Sequence, residues 1–236
     1  MELIGILQKA WRKRGLLAIS LLPLAGIFWS LVALRRALYR SGLLHAEGLP
    51  VPVVIVGNIT VGGSGKTPLT LWLAQQFQQQ GRRPGIVSRG HGGISQSGQV
   101  HEVREDSDAL QVGDEPLLLK RRSGLPLFVG RDRVAAANAL LAAYPECDLI
   151  LSDDGLQHYR LGRNVEIVVL DQRSLLNGWP LPSGPLREPL MRLKHIDALV
   201  LNDTADAPVA VIPTFHMRLI GATFYSIHDH TRTCDA

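Results

Sequence analysis

The chain has 236 residues, with 25 Lys and Arg against 21 Asp and Glu and only two cysteines. That length suits one large α/β unit or one and a half domains, so a sizeable core is within reach. Cys147 and Cys234 fit no metal spacing and exclude a disulfide-stapled scaffold, which points to a reducing compartment; a net charge of +4 gives no argument for nucleic acid as a partner.

The first distinctive segment is the uncharged run Leu16 to Leu34, flanked by Arg12-Lys13-Arg14 and by Arg35, Arg36 and Arg40. At ~1.5 Å per residue it is just long enough to cross a bilayer core. Trp11, Trp29 and Tyr39 suit a membrane–water interface, and Pro23 and Gly26 are tolerable in a membrane helix. A membrane-inserted or membrane-anchored helix is the favoured reading. A core helix of a soluble protein and a signal peptide compete with it, although Arg35-Arg36 stands where a small-residue cleavage site would be. Positive charge on both flanks leaves the orientation open.

A polar linker, Leu43 to Pro52, leads to the apolar strand Val53-Val54-Ile55-Val56. There follows Gly57-Asn58-Ile59-Thr60-Val61-Gly62-Gly63-Ser64-Gly65-Lys66-Thr67-Pro68, and then a helix from Leu69 to Gln80. Strand, glycine-rich turn and helix in that order are the setting of a phosphate-binding loop. The amides of Gly62, Gly63, Ser64 and Gly65 can cradle an anion at the helix N-terminus. Lys66 would reach the β- and γ-phosphates, and the Thr67 hydroxyl would ligate Mg²⁺. The pattern G-x-x-x-x-G-K-[ST] is departed from at its start, where Thr60 stands for glycine and needs a compatible φ. The competing reading is a glycine-rich turn with an incidental lysine.

Gly81-Arg82-Arg83-Pro84 breaks the chain, and Gly85 to Ser88 reads as a second strand. Arg89-Gly90-His91-Gly92-Gly93 follows it, a loop at the strand end where α/β sheets bind ligands, or else an ordinary flexible loop. Ile94 to Gln111 is polar and reads as a loop or β excursion. Val112 to Pro116 opens a helix to about Arg122, and Asp114 and Glu115 in its first turn can be simple helix-end charges. Leu127 to Val129 is a third strand, and Arg131 to Tyr144 has helical spacing.

Asp148 to Asp154 is an apolar strand ending in acid, which puts carboxylates beside the phosphate loop as hard ligands for Mg²⁺. Neighbours on a strand face opposite ways, so Asp153 and Asp154 need not share one job. An acidic strand end in solvent is the plainer alternative. Gly155-Leu156-Gln157-His158 continues as a polar turn. Val165 to Asp171 reads as a buried parallel strand, Asn177 to Glu188 as a long ordered loop before a short helix, Ala198 to Leu201 as a fifth strand and Val209 to Ile212 as a sixth. The tail from Thr214 lacks strong periodicity. Its His228-Asp229-His230 is a poor metal site, because three consecutive residues rarely converge on one ion. Strands alternating with helices imply a doubly wound, mostly parallel sheet, a P-loop NTPase-like α/β fold behind an N-terminal membrane helix.

Taken together, the phosphate loop Gly57–Pro68, Val87 to Gly93, Gly113-Asp114-Glu115-Pro116, Asp153 to Arg160 and Gly184-Pro185-Leu186-Arg187-Glu188 resemble the tetraacyldisaccharide 4′-kinase family, the lipid A 4′-kinases. The resemblance runs from about residue 10 to about residue 225. It implies transfer of the ATP γ-phosphate, with Mg²⁺, to the 4′-hydroxyl of a tetraacyldisaccharide 1-phosphate. By that resemblance Lys66 and Thr67 hold phosphates and Mg²⁺, Asp153 and Asp154 handle Mg²⁺ and nucleotide, and Asp114 deprotonates the acceptor hydroxyl. Arg89, Glu115, Gln157, His158, Arg187 and Glu188 match supporting active-site positions, and His91 is given no role. Partners are then the lipid A disaccharide precursor and inner-membrane lipid at the cytoplasmic face, where ATP is, with no obligate protein partner.

The implied organisation is a membrane-associated helix with basic flanks (1–45), a P-loop kinase domain (46–215) and a tail (216–236). The family's second, smaller lobe, with an Asp-His motif, has no counterpart in these residues, and Asp229-His230 is no substitute. The expectation is therefore weak nucleotide binding and poor or no phosphate transfer. Two other classes stay open: a P-loop GTPase or metallochaperone-like ATPase acting through protein partners, which would need neither the apolar helix nor Gln157-His158, and a nonfunctional remnant that only anchors to the membrane.

Overall fold

The computed structural model describes residues 2–90, 99–171, 175–203, 212–220, 223–225 and 233–235. Three helices come first: α1 (Glu2–Trp11), α2 (Leu16–Ser20) and α3 (Leu22–Arg40). The apolar run Leu16 to Leu34 is therefore not one helix. It breaks at Leu21, and Pro23 sits in the first turn of α3, where its missing N–H has no intrahelical partner to lose. By length and composition the stretch able to cross a membrane is Leu22–Arg40. Trp11 departs from its expected interfacial place. Its ring is buried and its indole N–H donates to the Pro182 carbonyl at 2.8 Å, which satisfies the one polar atom that burial would otherwise strand. Arg14 reaches the carbonyl of Asn177 in the same region. Nor is α3 a core helix, since Leu24, Ile27, Leu31 and Leu34 are 54–61% exposed.

The body alternates strand and helix as its patterning demands. In order come β1 (Val53–Gly57), α4 (Lys66–Gln79), β2 (Pro84–Ser88), β3 (His101–Glu102), α5 (Ala109–Val112), α6 (Asp114–Ser123), β4 (Leu127–Val129), α7 (Arg133–Ala143), β5 (Leu149–Asp153) and β6 (Val165–Leu170). A 3-10 helix (Leu190–His195), β7 (Ala198–Asn202) and β8 (Thr214–Met217) complete it. Eight described strands form one sheet in the order β3-β4-β2-β5-β1-β6-β7-β8. All pairs are parallel except β3 with β4. Residues 223–225 and 233–235 make a separate antiparallel ribbon, β9 and β10.

β1 is central and buried throughout, and its side chains divide between the two faces by the period of two. Val53 and Ile55 pack with Val134, Ala137 and Leu140 of α7. Val54 joins Ala74 of α4 and Leu117 and Leu119 of α6 on the other face, and Val56 meets Leu69 of α4. Each face of the sheet thus has its own helical cover, the doubly wound plan. Between β1 and α4 the chain turns sharply. A Cβ on Gly57 would meet that of Leu156 at 2.5 Å, so the turn after β5 can press against the end of β1 only because that position is glycine.

The expected sixth strand, 209–212, lies mostly outside the described residues. The strand beside β7 is β8, in what the sequence presents as an aperiodic tail. It is a partly exposed edge strand, so no inside–outside alternation marks it. His91 to Gly93 and His228 to His230 also lie outside the described residues.

Candidate functional site

The phosphate loop leaves the C-terminal end of β1 and enters α4 at Lys66. Gly65 takes φ 92°, and a Cβ there would meet Met217 Cε at 2.5 Å and Asn202 Nδ2 at 2.8 Å. Glycine is required twice over, by the left-handed backbone and by the closeness of β7 and β8. Asn202 Nδ2 also donates to the Ser64 carbonyl at 3.1 Å. Thr60, at the unusual first position, needs no positive φ. It forms an antiparallel bridge with Leu186, a conformation that threonine favours. The loop is pinned further by Val61 N–H to the Pro185 carbonyl at 2.9 Å and Arg187 N–H to the Ile59 carbonyl at 2.7 Å.

α4 carries no side-chain cap, which leaves its first-turn N–H groups for a ligand, and the Ser64 hydroxyl is buried with no partner among the described residues. Gly63 to Thr67 line a cavity of about 290 Å³, closed on its other side by Glu115 and Leu118 of α6. These are the features an anionic polyphosphate needs.

Lys66 Nζ lies 3.6 Å from Asp154 Oδ1. Arg187 Nη1 donates to both oxygens of the same carboxylate at 3.2 and 3.3 Å. Asp154 has φ 50°, so the chain turns out of the strand there and aims its side chain differently from that of Asp153. Asp153 is the last residue of β5, only 2% exposed, and accepts from the Thr70 hydroxyl at 3.2 Å. The two neighbouring carboxyls titrate apart. Burial, then the charge of Asp154, pushes Asp153 up to about 6 despite Lys66. Burial works to raise Asp154 too, but Lys66 and Arg187 outweigh it and hold that carboxyl below its usual range. Among the described residues no cluster of three or more His, Cys, Asp or Glu side chains could cage a metal. A buried carboxyl with too little positive charge around it, next to a hydroxyl-bearing helix start, still fits Mg²⁺, which takes one or two carboxylates plus substrate phosphates.

A second cavity, of about 340 Å³, lies under α3 and is lined by Phe28, Val32 and Arg35 together with Arg89, Arg187 and Glu188. Arg187 thus reaches from this cavity to Asp154, and Asp154 reaches Lys66 in the first. Gln157 Nε2 donates to the Asn58 carbonyl at 2.9 Å and to Glu188 Oε1 at 3.2 Å. Asp114 is the first residue of α6, exposed, after Gly113 at φ 93°. His158 turns elsewhere. Its Nε2 accepts the backbone N–H of Arg133 at 3.3 Å, at the start of α7, and burial followed by the charge of Arg133 pushes it down to about 4.

Three residues escaped sequence reasoning, Arg133, Arg192 and Asn202, and Tyr159 enters it only as part of the Asp153 to Arg160 motif, with no role. Arg133 is buried, and burial lowers it to about 10, so it stays a cation whose field acts on Asp154 and Asp153. One signal was available: it shares the apolar stripe of Ala136, Ala137 and Leu140, at spacings of three, four and seven. Buried Arg192 binds Glu166, and its Nε lies 3.3 Å from Glu188. Asn202 had no local signature.

A parallel sheet with a glycine-rich loop at the end of its central strand, lysine on the following helix and acid ending the adjacent strand defines a P-loop nucleotide-binding fold. The chain belongs to the tetraacyldisaccharide-1-P 4′-kinase family, which it matches over residues 17–234. It is 54% identical over 227 residues to the tetraacyldisaccharide 4′-kinase of Janthinobacterium sp. (strain Marseille), covering 96% of this chain and 64% of that protein. With the enzyme of the same name from Azoarcus sp. (strain BH72) it shares 52% over 231 residues, 96% of this chain and 66% of that protein. The crystal structure of LpxK from Aquifex aeolicus in complex with ATP matches with a TM-score of 0.76 at 33% identity, covering 85% of this chain and 64% of that one. The chain therefore spans just under two thirds of the length of these relatives.

Proposed function

We propose that the chain binds ATP in its phosphate loop and transfers the γ-phosphate to the 4′-hydroxyl of a tetraacyldisaccharide 1-phosphate at the cytoplasmic face of the inner membrane. One observation carries the reading: the line Lys66–Asp154–Arg187 joins the phosphate-loop cavity to the cavity beneath an exposed apolar helix. Family membership supports it.

In this reading the amides of Gly62 to Gly65, Lys66 and Thr67 hold the triphosphate. Thr67, Asp153 and Asp154 would hold Mg²⁺, which neutralises charge on the β- and γ-phosphates. Asp154 keeps Lys66 and Arg187 at a fixed separation. Arg187 and Arg89 face the acceptor cavity with positive charge. Asp114, with Glu115 beside it, accepts the proton of the acceptor hydroxyl; phosphoryl transfer asks little else of a side chain beyond alignment and charge. Gln157 and Glu188 brace the start of the loop, and His158 supports α7.

The helix α3 lies in the membrane surface and does not cross it. Ala25, Phe28, Val32, Arg36, Leu38 and Tyr39 are its less exposed positions, and all but Leu38 fall on one body-facing stripe, while Leu24, Ile27, Leu31 and Leu34 face out. A helix held lengthwise against its own domain can dip that outer face into lipid, with Arg12, Lys13 and Arg40 near anionic head groups. A substrate carrying four acyl chains stays in the bilayer, so the site must come to it. Residues 1–45 would serve this docking, and 46–215 the transfer.

The test is transfer of label from [γ-³²P]ATP to tetraacyldisaccharide 1-phosphate in vesicles with Mg²⁺. Weakly labelled lipid is expected, in keeping with the poor transfer that the sequence reading anticipates, and Lys66→Ala should lower its formation at least about 10²-fold, as loss of one charge-stabilising group does. Unlabelled lipid alongside nucleotide hydrolysis that needs an added protein would favour the GTPase or metallochaperone-like class.

A further inference from the structure

Tyr159 is the side chain on which α3 and the phosphate loop converge. Its ring lies 5.7 Å from that of Tyr39 in α3, centre to centre, tilted by 35°. The guanidinium of Arg35, also in α3, stands 5.7 Å from the ring centre, and that of Arg163 stands 5.5 Å away. One end of the tyrosine is therefore gripped by the membrane-facing helix through aromatic and cation–π contacts. The other end donates its hydroxyl hydrogen to Glu188 Oε2 at 2.7 Å. Glu188 is fully buried, and its second oxygen accepts from Gln157, whose amide also holds the Asn58 carbonyl at the head of the phosphate loop. Burial, then the charge of Glu188, raises the phenol further above its ordinary range, so the hydroxyl remains a donor at any physiological pH. Glu188 in turn adjoins Arg187, which grips Asp154.

We propose that Tyr159 is a positioning residue that sets the register between α3 and the transfer residues, and so fixes where an acceptor presented from a bilayer sits relative to Arg187 and the phosphate loop. This rests on the kinase reading above. The register matters most when the acceptor's height is dictated by the lipid surface on which α3 lies. An acceptor free in solution can adjust its own position.

Two acceptors separate these cases: the tetraacyl disaccharide phosphate in anionic phospholipid vesicles, and the same disaccharide phosphate with short acyl chains dispersed in solution. The readout is the ratio of kcat on the first to kcat on the second, with KM for ATP and vesicle co-sedimentation measured in parallel. Tyr159→Phe keeps the ring contacts and drops the bond to Glu188. It should lower the ratio about tenfold, the scale of one hydrogen bond to a buried charge. Tyr159→Leu, which also loses the ring, should lower it further, with KM for ATP and vesicle binding as in the wild type. An equal loss on both acceptors would make Tyr159 a general structural residue and overturn the proposal, as would an unchanged ratio in Tyr159→Phe. Loss of vesicle binding would assign it to docking instead and overturn it too. Wild-type chain that labels neither acceptor would remove the kinase reading, and this proposal with it.

Discussion

Replacing Asp153 by Asn should stabilise the ligand-free chain at neutral pH and abolish its proposed use of Mg²⁺. In the folded state this carboxyl titrates at about 6, against 3.8 when unfolded, because burial and the adjacent Asp154 disfavour its charge. The folded chain therefore holds the proton more tightly than the unfolded one between those values. The stability this provides is complete below about pH 4 and lost as pH rises through about 6. A difference of roughly two pH units corresponds to about 3 kcal/mol at most. Asn keeps an oxygen for the Thr70 hydroxyl and carries no charge to desolvate. Urea unfolding of both proteins at pH 4 and pH 7.5, without nucleotide, measures the effect. At pH 7.5 Asp153→Asn should be more stable by about 1–3 kcal/mol, or several degrees in Tm, and at pH 4 the gap should close. Adding ATP with Mg²⁺ should stabilise the wild type more than the variant. A variant that is less stable at pH 7.5, or a gap of equal size at both pH values, would refute the reasoning.

Gly65→Ala forces a side chain into left-handed backbone and against Met217 and Asn202; a loss of about 1–3 kcal/mol is expected, with nucleotide affinity reduced in calorimetry, and undiminished affinity would contradict the tight packing of the loop. His158 is held neutral, with its folded value pushed down to about 4 first by burial and then by Arg133. Stability tied to it is present above about pH 6.5 and lost as pH falls toward 4, so denaturant midpoints of the wild type should fall more steeply across that window than those of His158→Gln. Ile27→Glu with Leu31→Glu should abolish co-sedimentation with anionic vesicles while leaving Tm nearly unchanged, because both side chains face away from the body; a large fall in Tm would mean that this face packs against protein.

Much of the molecule was legible because its signals are local. Val53 to Gln79 is a strand, a glycine turn and a helix in one continuous stretch, and each piece is dictated by its neighbours. The same holds for β5, whose apolar run ends in the acid pair. The placing of that acid pair beside the phosphate loop is realised because β1 and β5 lie side by side. What stayed hidden depends on distant partners. Nothing near Trp11 announces a carbonyl at Pro182. The break at Leu21 hides in a run whose composition reads as continuous, with only Pro23 to mark it. β8 is an edge strand and carries no alternation. Arg133 and Arg192 are buried cations whose partners include Asp154 and Glu166 in other elements of the fold, and an arginine in an apolar stripe is easily taken for a surface residue that snorkels.

The stitching of residues 59–61 to 185–187 has a kinetic consequence. Val61 N–H, Arg187 N–H and the Thr60–Leu186 bridge form a short ladder between the phosphate loop and the segment bearing Arg187. Opening one side exposes the other, so the two segments behave as one cooperative unit. Their amides should exchange hydrogen at a common rate in the native state. A bound nucleotide that slows exchange at Val61 should slow it equally at Arg187, although the two positions lie more than a hundred residues apart in the chain.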